Sequence, residues 1–596
     1  MPQKVLAGRA ADPLLRQDIV HVKVDQVILT RSPARPLASA LEMGMKKTPV
    51  EVAVAYDGTC VSNVEVNEAR LKGRHDTVPP EALLHNILIA RPGVGFPAPV
   101  HLERFASPAR LAVTDDPRLA SVGGIGMLSL VLPPSQLAHA LAHGTVTLRP
   151  PCSVQILLSG RVRPFVCARD VALELLRCGL AEMVQEIDTK YGAPVVLEFA
   201  GPSARLLSVP ERAVLCAIAP AVGAASALFV SDDKSETFLR DQRRSKAHRA
   251  LAPDAGAPCD DVLSIDLATV DPLLMDTDGE IKAVRDLAKQ PVRQVILGGD
   301  SGVTLRDMLA AAALLKSKRV PSRLEFLVAP PSRQILEVLA HTGALVDLMA
   351  TGARLIEPDQ RVITGELYPP CKNEISVRTF DPEPRAKDTH SFVVTSAETL
   401  AYCVANGQIG DPRAFKRPVR VTVPRVFPTE DVLIIRPRKA NLANIGNAMT
   451  VEPAKSFGWK DSPLTLLAAD SKLEGDCIAI VCDNDQEVRR IAIAATSLVS
   501  RLRAVIGLHI PRGIAAMFNG MGIAAFGADP NAFTKLRKAK KLSVPCPSDW
   551  PEDGAVTAKA GKIEVQLRWL GHVEQRSGVE TGNSQPDQPN IKPISR

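Results

Sequence analysis

VRQVILGGDSGVTLRDMLAAAALLKSKRV, residues 292–320, is the stretch on which the fold turns. Its opening, VRQVILGG (292–299), is a β-branched apolar run closed by glycines, which predicts a buried strand. TLRDMLAAAALLKSK (304–318) follows as a helix, so the stretch is one strand–loop–helix unit. The same alternation extends outward on the N-terminal side. VEVAVAY (50–56) and SVQILLSG (153–160) are predicted strands. PSQLAHALAHG (134–144) and ARDVALELLRCG (168–179) are predicted helices stopped by glycine. SVPERAVLCAIAPAVGA (208–224) begins with Ser before Pro, a helix-start signal. Strands alternating with helices argue for α/β layers. On the C-terminal side the composition turns Pro-rich and polar between 381 and 418, which reads as the connection to a separate domain. That domain is expected to hold strands at 419–427, 475–483 and 504–510 and a helix at 486–502, before a polar, disordered tail from Ser577.

The 596 residues suffice for about three to five domains. With 46% hydrophobic and 23% charged residues the composition is globular, and the 4% aromatic share leaves the cores to Leu, Val, Ile and Ala. The net charge of +7 is small for 72 basic and 65 acidic residues. The two densest basic runs, RDQRRSKAHR (240–249) and KLRKAKK (535–541), have no aromatic platforms beside them, so nucleic acid is not an expected partner. The 11 cysteines include no C-x-x-C pair, and their odd number points to a reducing compartment. The leading MPQKVLAGRAADPLLRQ has no apolar core of a signal peptide, and no apolar run reaches membrane-span length. The expected location is cytoplasmic, without membrane association.

Two motifs mislead. Gly299-Asp300-Ser301-Gly302 spells the nucleophile loop of trypsin-like proteases, but those are all-β and this one joins a strand to a helix. RPGVGFP (91–97) and VGGIGM (122–127) are glycine-rich without the full spacing of a phosphate-binding loop.

Longer phrases carry more. RPGVGFPAPVHLERF (91–105), TDDPRLASVGGIGML (114–128), VQILLSGRVRPFVCARDVALELLR (154–177), SVPERAVLCAIAPAVGA (208–224), APCDDVLSIDLATVDP (257–272), the 292–320 stretch, SRQILEVLAHTGALVDLMATGARLIEP (332–358) and ISVRTF (375–380) resemble, in order, the aconitase superfamily. The form resembled is the compact bacterial aconitate hydratase, in which isopropylmalate-dehydratase-like large and small subunits are fused. The resemblance spans about 17–570 and is weaker in the C-terminal part. It implies three α/β/α domains followed by a C-terminal swivelling β/α domain, with the active site in the cleft between them. It also implies a hydro-lyase or isomerase of hydroxy-polycarboxylates. There a [4Fe–4S] cluster on three cysteines acts as Lewis acid, a serine alkoxide takes the proton, His–Asp and His–Glu pairs handle the hydroxyl, and arginines bind carboxylates.

The positions that carry this chemistry depart from the family. The G-S-C-T-N loop is Gly298-Gly299-Asp300-Ser301-Gly302, and C-G-P-C is Gln360-Arg361-Val362-Ile363, so Asp300, Gln360 and Ile363 stand at the three ligand positions. Soft thiolates are what such clusters select, and isoleucine coordinates nothing. Cys371 falls outside this register. V-D-H is Tyr56-Asp57-Gly58, C-H-Q is Pro97-Ala98-Pro99, D-S-H is Asp116-Pro117-Arg118, and Ala221 stands for the active-site glutamate. In the swivel domain S-S-R is Val488-Arg489-Arg490 and S-F-A-R is His509-Ile510-Pro511-Arg512. His101, in the matched phrase, reads as structural.

The expected division is an arm (1–16), three aconitase-like domains (17–150, 151–291, 292–385), a linker (386–418), the swivel domain (419–576) and a tail (577–596). No cluster is expected. Asp57, Asp116 and Arg118 remain as catalytic candidates, and Arg490 and Arg512 as carboxylate-binding candidates. Mg²⁺ or Mn²⁺ on Asp57, Asp116, Asp300 and Gln360 stays open as an oxygen-ligand alternative. Function divides into two classes. One is a cluster-independent enzyme on a small di- or tricarboxylate. The other is a non-catalytic homologue acting as sensor, partner subunit or scaffold, with a protein partner. Replacement of His, Glu and Ser by small or apolar residues as a group favours loss of the ancestral reaction, since a half-kept polar network leaves buried groups unpaired.

Overall fold

The computed structural model describes residues 1–57, 80–382, 392–436 and 463–570, with short gaps at 32, 366, 372, 430, 472–474, 476, 499–500, 512–513, 516–517, 520–521, 546–549, 551–553 and 562. Among the described residues three large open sheets, a two-stranded antiparallel sheet of Val20–Lys23 with Thr145–Leu148, and a closed barrel carry the chain. The first sheet has six strands in the order Ile434–Ile435, Leu88–Ala90, Val52–Tyr56, Gln26–Leu29, Leu111–Thr114 and Leu128–Val131, all parallel except the first, which runs antiparallel along the edge. The second is a four-stranded parallel sheet: Ser226–Phe229, Val195–Ala200, Cys152–Ser159 and Asp261–Asp266. The third has seven strands around Val292–Gly298, with Glu325–Ala329 and Arg354–Leu355 on one side and Ile375–Arg378, Val393–Thr395, Leu273–Met275 and Ile281–Ala283 on the other. Helices cover these sheets and make the structure mixed α/β, consistent with an aconitase-type fold.

The central strands are buried along nearly their whole length because parallel sheets are covered on both faces; Val295, Ile296 and Leu297 have no exposed surface. The Leu305–Leu315 helix starts where Thr304 and Asp307 form a reciprocal capping box. Between strand and helix, the loop needs its glycines. Gly298, Gly299 and Gly302 all have positive φ, and a Cβ on them would strike the Ala329 carbonyl, the Phe380 ring and the Thr379 carbonyl respectively. The protease-like spelling Gly299-Asp300-Ser301-Gly302 thus belongs to a tight strand-to-helix turn.

Three expectations need correction. The stretch 386–418 is not a bare linker. Val393–Thr395 pairs with Val377 and Arg378, and the Ala397–Asn406 helix buries Leu400, Ala401 and Val404 on the third sheet. Polar and proline residues on either side dominated the composition of a segment whose strand is only three residues long. The run 419–427 forms no strand, because Pro424 inside it and Pro418 before it cannot donate to a ladder. The hairpin Leu273–Met275/Ile281–Ala283 joins the third sheet, not the second.

The barrel orders its strands Leu464–Ala468, Ile478–Cys482, Leu502–Gly507, Ala524–Ala528, Ile563–Trp569, Ala555–Ala560 and Lys541–Ser543. Closure leaves no unpaired sheet edge, and Phe526, Trp550 and Trp569 fill its interior. The tail 577–596 lies outside the described residues, as does Arg512. Among the described residues no helix is long and apolar enough to cross a membrane.

Candidate functional site

In open parallel sheets, ligand sites form beyond the carboxyl ends of strands. Four such ends supply the residues of interest here. Asp57 follows Val52–Tyr56, Asp116 follows Leu111–Thr114, Asp300 follows Val292–Gly298, and Asp381 follows Ile375–Arg378.

Asp116 is buried and caps the 3-10 run Pro117–Ile125 by accepting from the Arg118 amide at 3.0 Å. Its carboxylate also accepts from the Thr30 hydroxyl and from Arg31 Nη2, each at 3.1 Å. The Arg118 side chain crosses to the third sheet. Its Nη1 donates to Asp300 Oδ1 at 2.9 Å and Ser301 Oγ at 3.3 Å, and its Nη2 donates to the Asp381 carbonyl at 2.8 Å. The Asp381 carboxylate is gripped by both terminal nitrogens of Arg169, from the helix over the second sheet, and accepts from Ser301 Oγ at 2.9 Å. Burial alone would raise Asp381; the Arg169 and Arg118 guanidiniums and the Ser301 hydroxyl outweigh it and hold the carboxyl below its usual range. One chain of charge, Arg31–Asp116–Arg118–Asp300 with Ser301–Asp381–Arg169, therefore ties all three sheets together.

The sequence candidates divide accordingly. Asp116, Arg118 and Asp300 come together. Asp57 stands half-buried at its strand end, with its amide donating to the Ala90 carbonyl at 2.9 Å. Arg490 is exposed on the Asp485–Leu498 helix beside the barrel, and Arg512 lies outside the described residues. Thr30, Arg31, Arg169 and Asp381 were not singled out in the sequence, and Ser301 entered only through the protease-like spelling and the loop register. Arg169 and Ser301 sit inside the matched phrases and Asp381 directly after one, yet nothing local marks their pairing.

The three cluster positions differ in chemistry. Asp300 gives hard oxygens already answered by Arg118. Gln360 opens the short Gln360–Thr364 helix, and its Nε2 is buried without a hydrogen-bond partner. Ile363 is 2% exposed and packs in an apolar cluster with Phe96, Ile296, Leu327, Phe380 and Phe392. Cys371 is half-buried at a loop position where its amide donates to Ser376. Among the described residues no group of three His, Cys, Asp or Glu side chains is arranged to hold a metal ion. The carboxylates of the oxygen-ligand alternative are met instead by guanidiniums, at Asp116 and Asp300. His101 is a core residue: its ring nitrogens meet Tyr56 Oη at 3.1 Å and Gln26 Oε1 at 2.8 Å. Burial, helped by Arg244, lowers it to about 3, so it is uncharged.

Residues 12–281 match the profile of the Aconitase family (aconitate hydratase). The 3-isopropylmalate dehydratase large subunit 2 of Archaeoglobus fulgidus is 25% identical over 436 residues, which cover 69% of this chain and 98% of that protein. The homoaconitase large subunit of Thermus thermophilus is 28% identical over 371 residues, 60% of this chain and 83% of its own. The mitochondrial aconitate hydratase of Schizosaccharomyces pombe is 23% identical over 384 residues, 59% of this chain and 47% of its own. With parallel α/β sheets, a glycine-built loop after Val292–Gly298 and relatives of this kind, the chain is similar in sequence and fold class to the hydro-lyase scaffold of the aconitase superfamily.

Proposed function

We propose that this chain is a non-hydrating member of its superfamily, a scaffold or partner subunit in which cluster-dependent dehydration and rehydration have been lost. The donor set at the cluster positions does not fit a [4Fe–4S] group. Ile363 offers carbon only and faces an apolar cluster, and Asp300 is neutralised by Arg118. The observation that carries the reading is the self-pairing of the cleft: Arg118 and Arg169 are committed to Asp300 and Asp381. A polycarboxylate entering here has to displace buried ion pairs, leaving aspartates uncompensated.

Anaerobic reconstitution with iron and sulfide tests this. The expected result is no stoichiometric acid-labile sulfide, no broad visible charge-transfer band, and no turnover of aconitate or isopropylmalate. Either the band or turnover overturns the proposal.

A second reading, that the chain still handles a small di- or tricarboxylate, rests on Arg490. This arginine is exposed and has no ion pair among the described residues. Thermal shift with citrate, isocitrate, aconitates and isopropylmalates decides between the two. Stabilisation abolished by Arg490→Ala supports carboxylate handling, and no shift with any acid supports the scaffold reading.

A further inference from the structure

A cavity of about 390 Å³ borders the Asp300–Ser301 loop and is lined by the Pro97–Arg104, Val209–Cys216 and Asp233–Asp241 helices, the start of Leu305–Leu315, the start of Arg333–His341, and residues 423–427. Its body is apolar, with Leu102, Val214, Phe238, Leu305, Ile335 and Phe427 on its walls. Gln242 and Gln334 also face it, but their amides satisfy each other at 2.8 and 2.9 Å. Lys234 and Arg425 are half-buried and exposed, so their charges lie toward water.

Glu103 is different. It lines the cavity at 7% exposure, and no cation pairs with it among the described residues. Its one side-chain hydrogen bond is at Oε1, which accepts from Ser332 Oγ at 2.8 Å; Oε2 has none. The neighbouring guanidiniums are spent elsewhere. Arg104 pairs with Asp431 at 2.6 Å, and Arg244 donates to the carbonyls of Leu102, Glu103 and Ala106. A deep carboxyl with a spare oxygen, in an apolar chamber, is complementary to a ligand that brings its own cation.

We propose that this cavity binds a small amine with an aliphatic or aromatic body, its ammonium donating to Glu103 Oε2 and its body packing on the apolar walls. The binding does not depend on the loss of cluster chemistry.

The charge state of Glu103 gives the site a pH signature. Burial pushes its carboxyl up to about 7, against the Ser332 hydroxyl and the Arg104 guanidinium, which pull it down. The other charged or titratable groups around it are Tyr56, Arg244, Arg333, Glu337 and Asp431, with Glu211, Lys234, Asp241, Asp300, Arg306 and Arg425 on the cavity wall. An amine that stays protonated therefore binds better as Glu103 ionises, by about tenfold between pH 6 and pH 8.

Calorimetric titration of the full chain with hexylamine, cyclohexylmethylamine and phenethylamine, each beside its alcohol and carboxylate counterpart, tests the proposal. The amines are expected to bind at least tenfold more tightly than their counterparts, and more tightly at pH 8 than at pH 6. Glu103→Gln keeps the Ser332 bond and is expected to remove both the amine preference and the pH dependence. Ala217→Phe, which fills the chamber from a half-buried wall position, is expected to abolish binding. Absence of amine binding, equal binding of alcohols or carboxylates, or an unchanged Glu103→Gln profile overturns it.

Discussion

Arg118 does two jobs with one residue: its amide completes the cap at Asp116, and its guanidinium answers Asp300 across to the third sheet. Its side chain is 14% exposed and that of Asp300 is 7% exposed, so water compensates little for a lost partner. Arg118→Ala is therefore expected to destabilise by about 3–5 kcal/mol, chiefly through the stranded carboxylate. Arg118→Met combined with Asp300→Leu removes both charges and is expected to restore much of the loss; urea unfolding of both variants checks this. Ile363 poses the opposite case. Ile363→Cys deletes buried carbon from an apolar cluster and is expected to cost about 2 kcal/mol in the same assay. Even with Asp300→Cys and Gln360→Cys added, aconitate hydration is expected to stay absent, because Ala98, Arg118, Ala221 and Val488 bring no acid or base, and such groups contribute roughly 10²–10⁴-fold. Residue identities at these positions were legible in the sequence because matched phrases flank them. Their partners were not: Arg118 reaches Asp300 across 182 positions and Arg169 reaches Asp381 across 212, and no local pattern encodes pairings of that span.

The helix starts that seat the site also store protons. Asp170, Asp307 and Glu398 sit in the first turns of three helices, Ala168–Arg177, Leu305–Leu315 and Ala397–Asn406. Burial raises Asp170 and Asp307 to about 6 against their cap hydrogen bonds, and raises Glu398 to about 8, where Asp307 and Asp170 add repulsion. The Glu398 Oε2 is buried without a hydrogen-bond partner. Because these folded-state values lie above the unfolded ones, the native state holds protons the unfolded chain has released. Their contribution is complete below about pH 4 and is lost as pH rises through about 6 and then about 8. Glu103 titrates in the same window, so the readout is a difference: Glu398→Gln is expected to gain stability relative to the parent as pH rises from 6 to 9. A difference in urea midpoint that does not change with pH counts against it. Elements of this kind were the legible part of the fold. The 168–179 and 304–318 helices follow from periodicity and their stop or start signals. The strand expected at 419–427 failed because proline outweighed its β-branched composition, and Val393–Thr395 was hidden because three residues are too few to show a period.

At the scale of the whole molecule, the three large open sheets hold each other through buried charge. The first sheet reaches the third through Arg118–Asp300, and the third reaches the second through Asp381–Arg169. Even the segment after residue 418 is drawn in, with Asp431 bonding Arg104 at 2.6 Å and Ile434–Ile435 pairing along Ile89 and Ala90. Among the described residues the barrel domain meets this body where His509 lies 3.6 Å from Asp188, where Pro511 approaches Gly223 and where Arg35 approaches Gly522. Its own apolar interior and helix-side cluster are made of residues from 464 onward. A chain cut after Arg436 keeps every strand of the three large open sheets. Residues 1–436 are therefore expected to fold alone, with a cooperative calorimetric transition and Arg118→Ala lowering its midpoint as in the full chain. Cutting instead after residue 418 removes the edge strand and the Asp431 partner of Arg104, leaving that guanidinium, 12% exposed, without its carboxylate. The shorter fragment is expected to melt several degrees lower or aggregate. Equal melting of the two fragments would show that the stretch 419–436 belongs energetically to the barrel and that the division lies earlier in the chain.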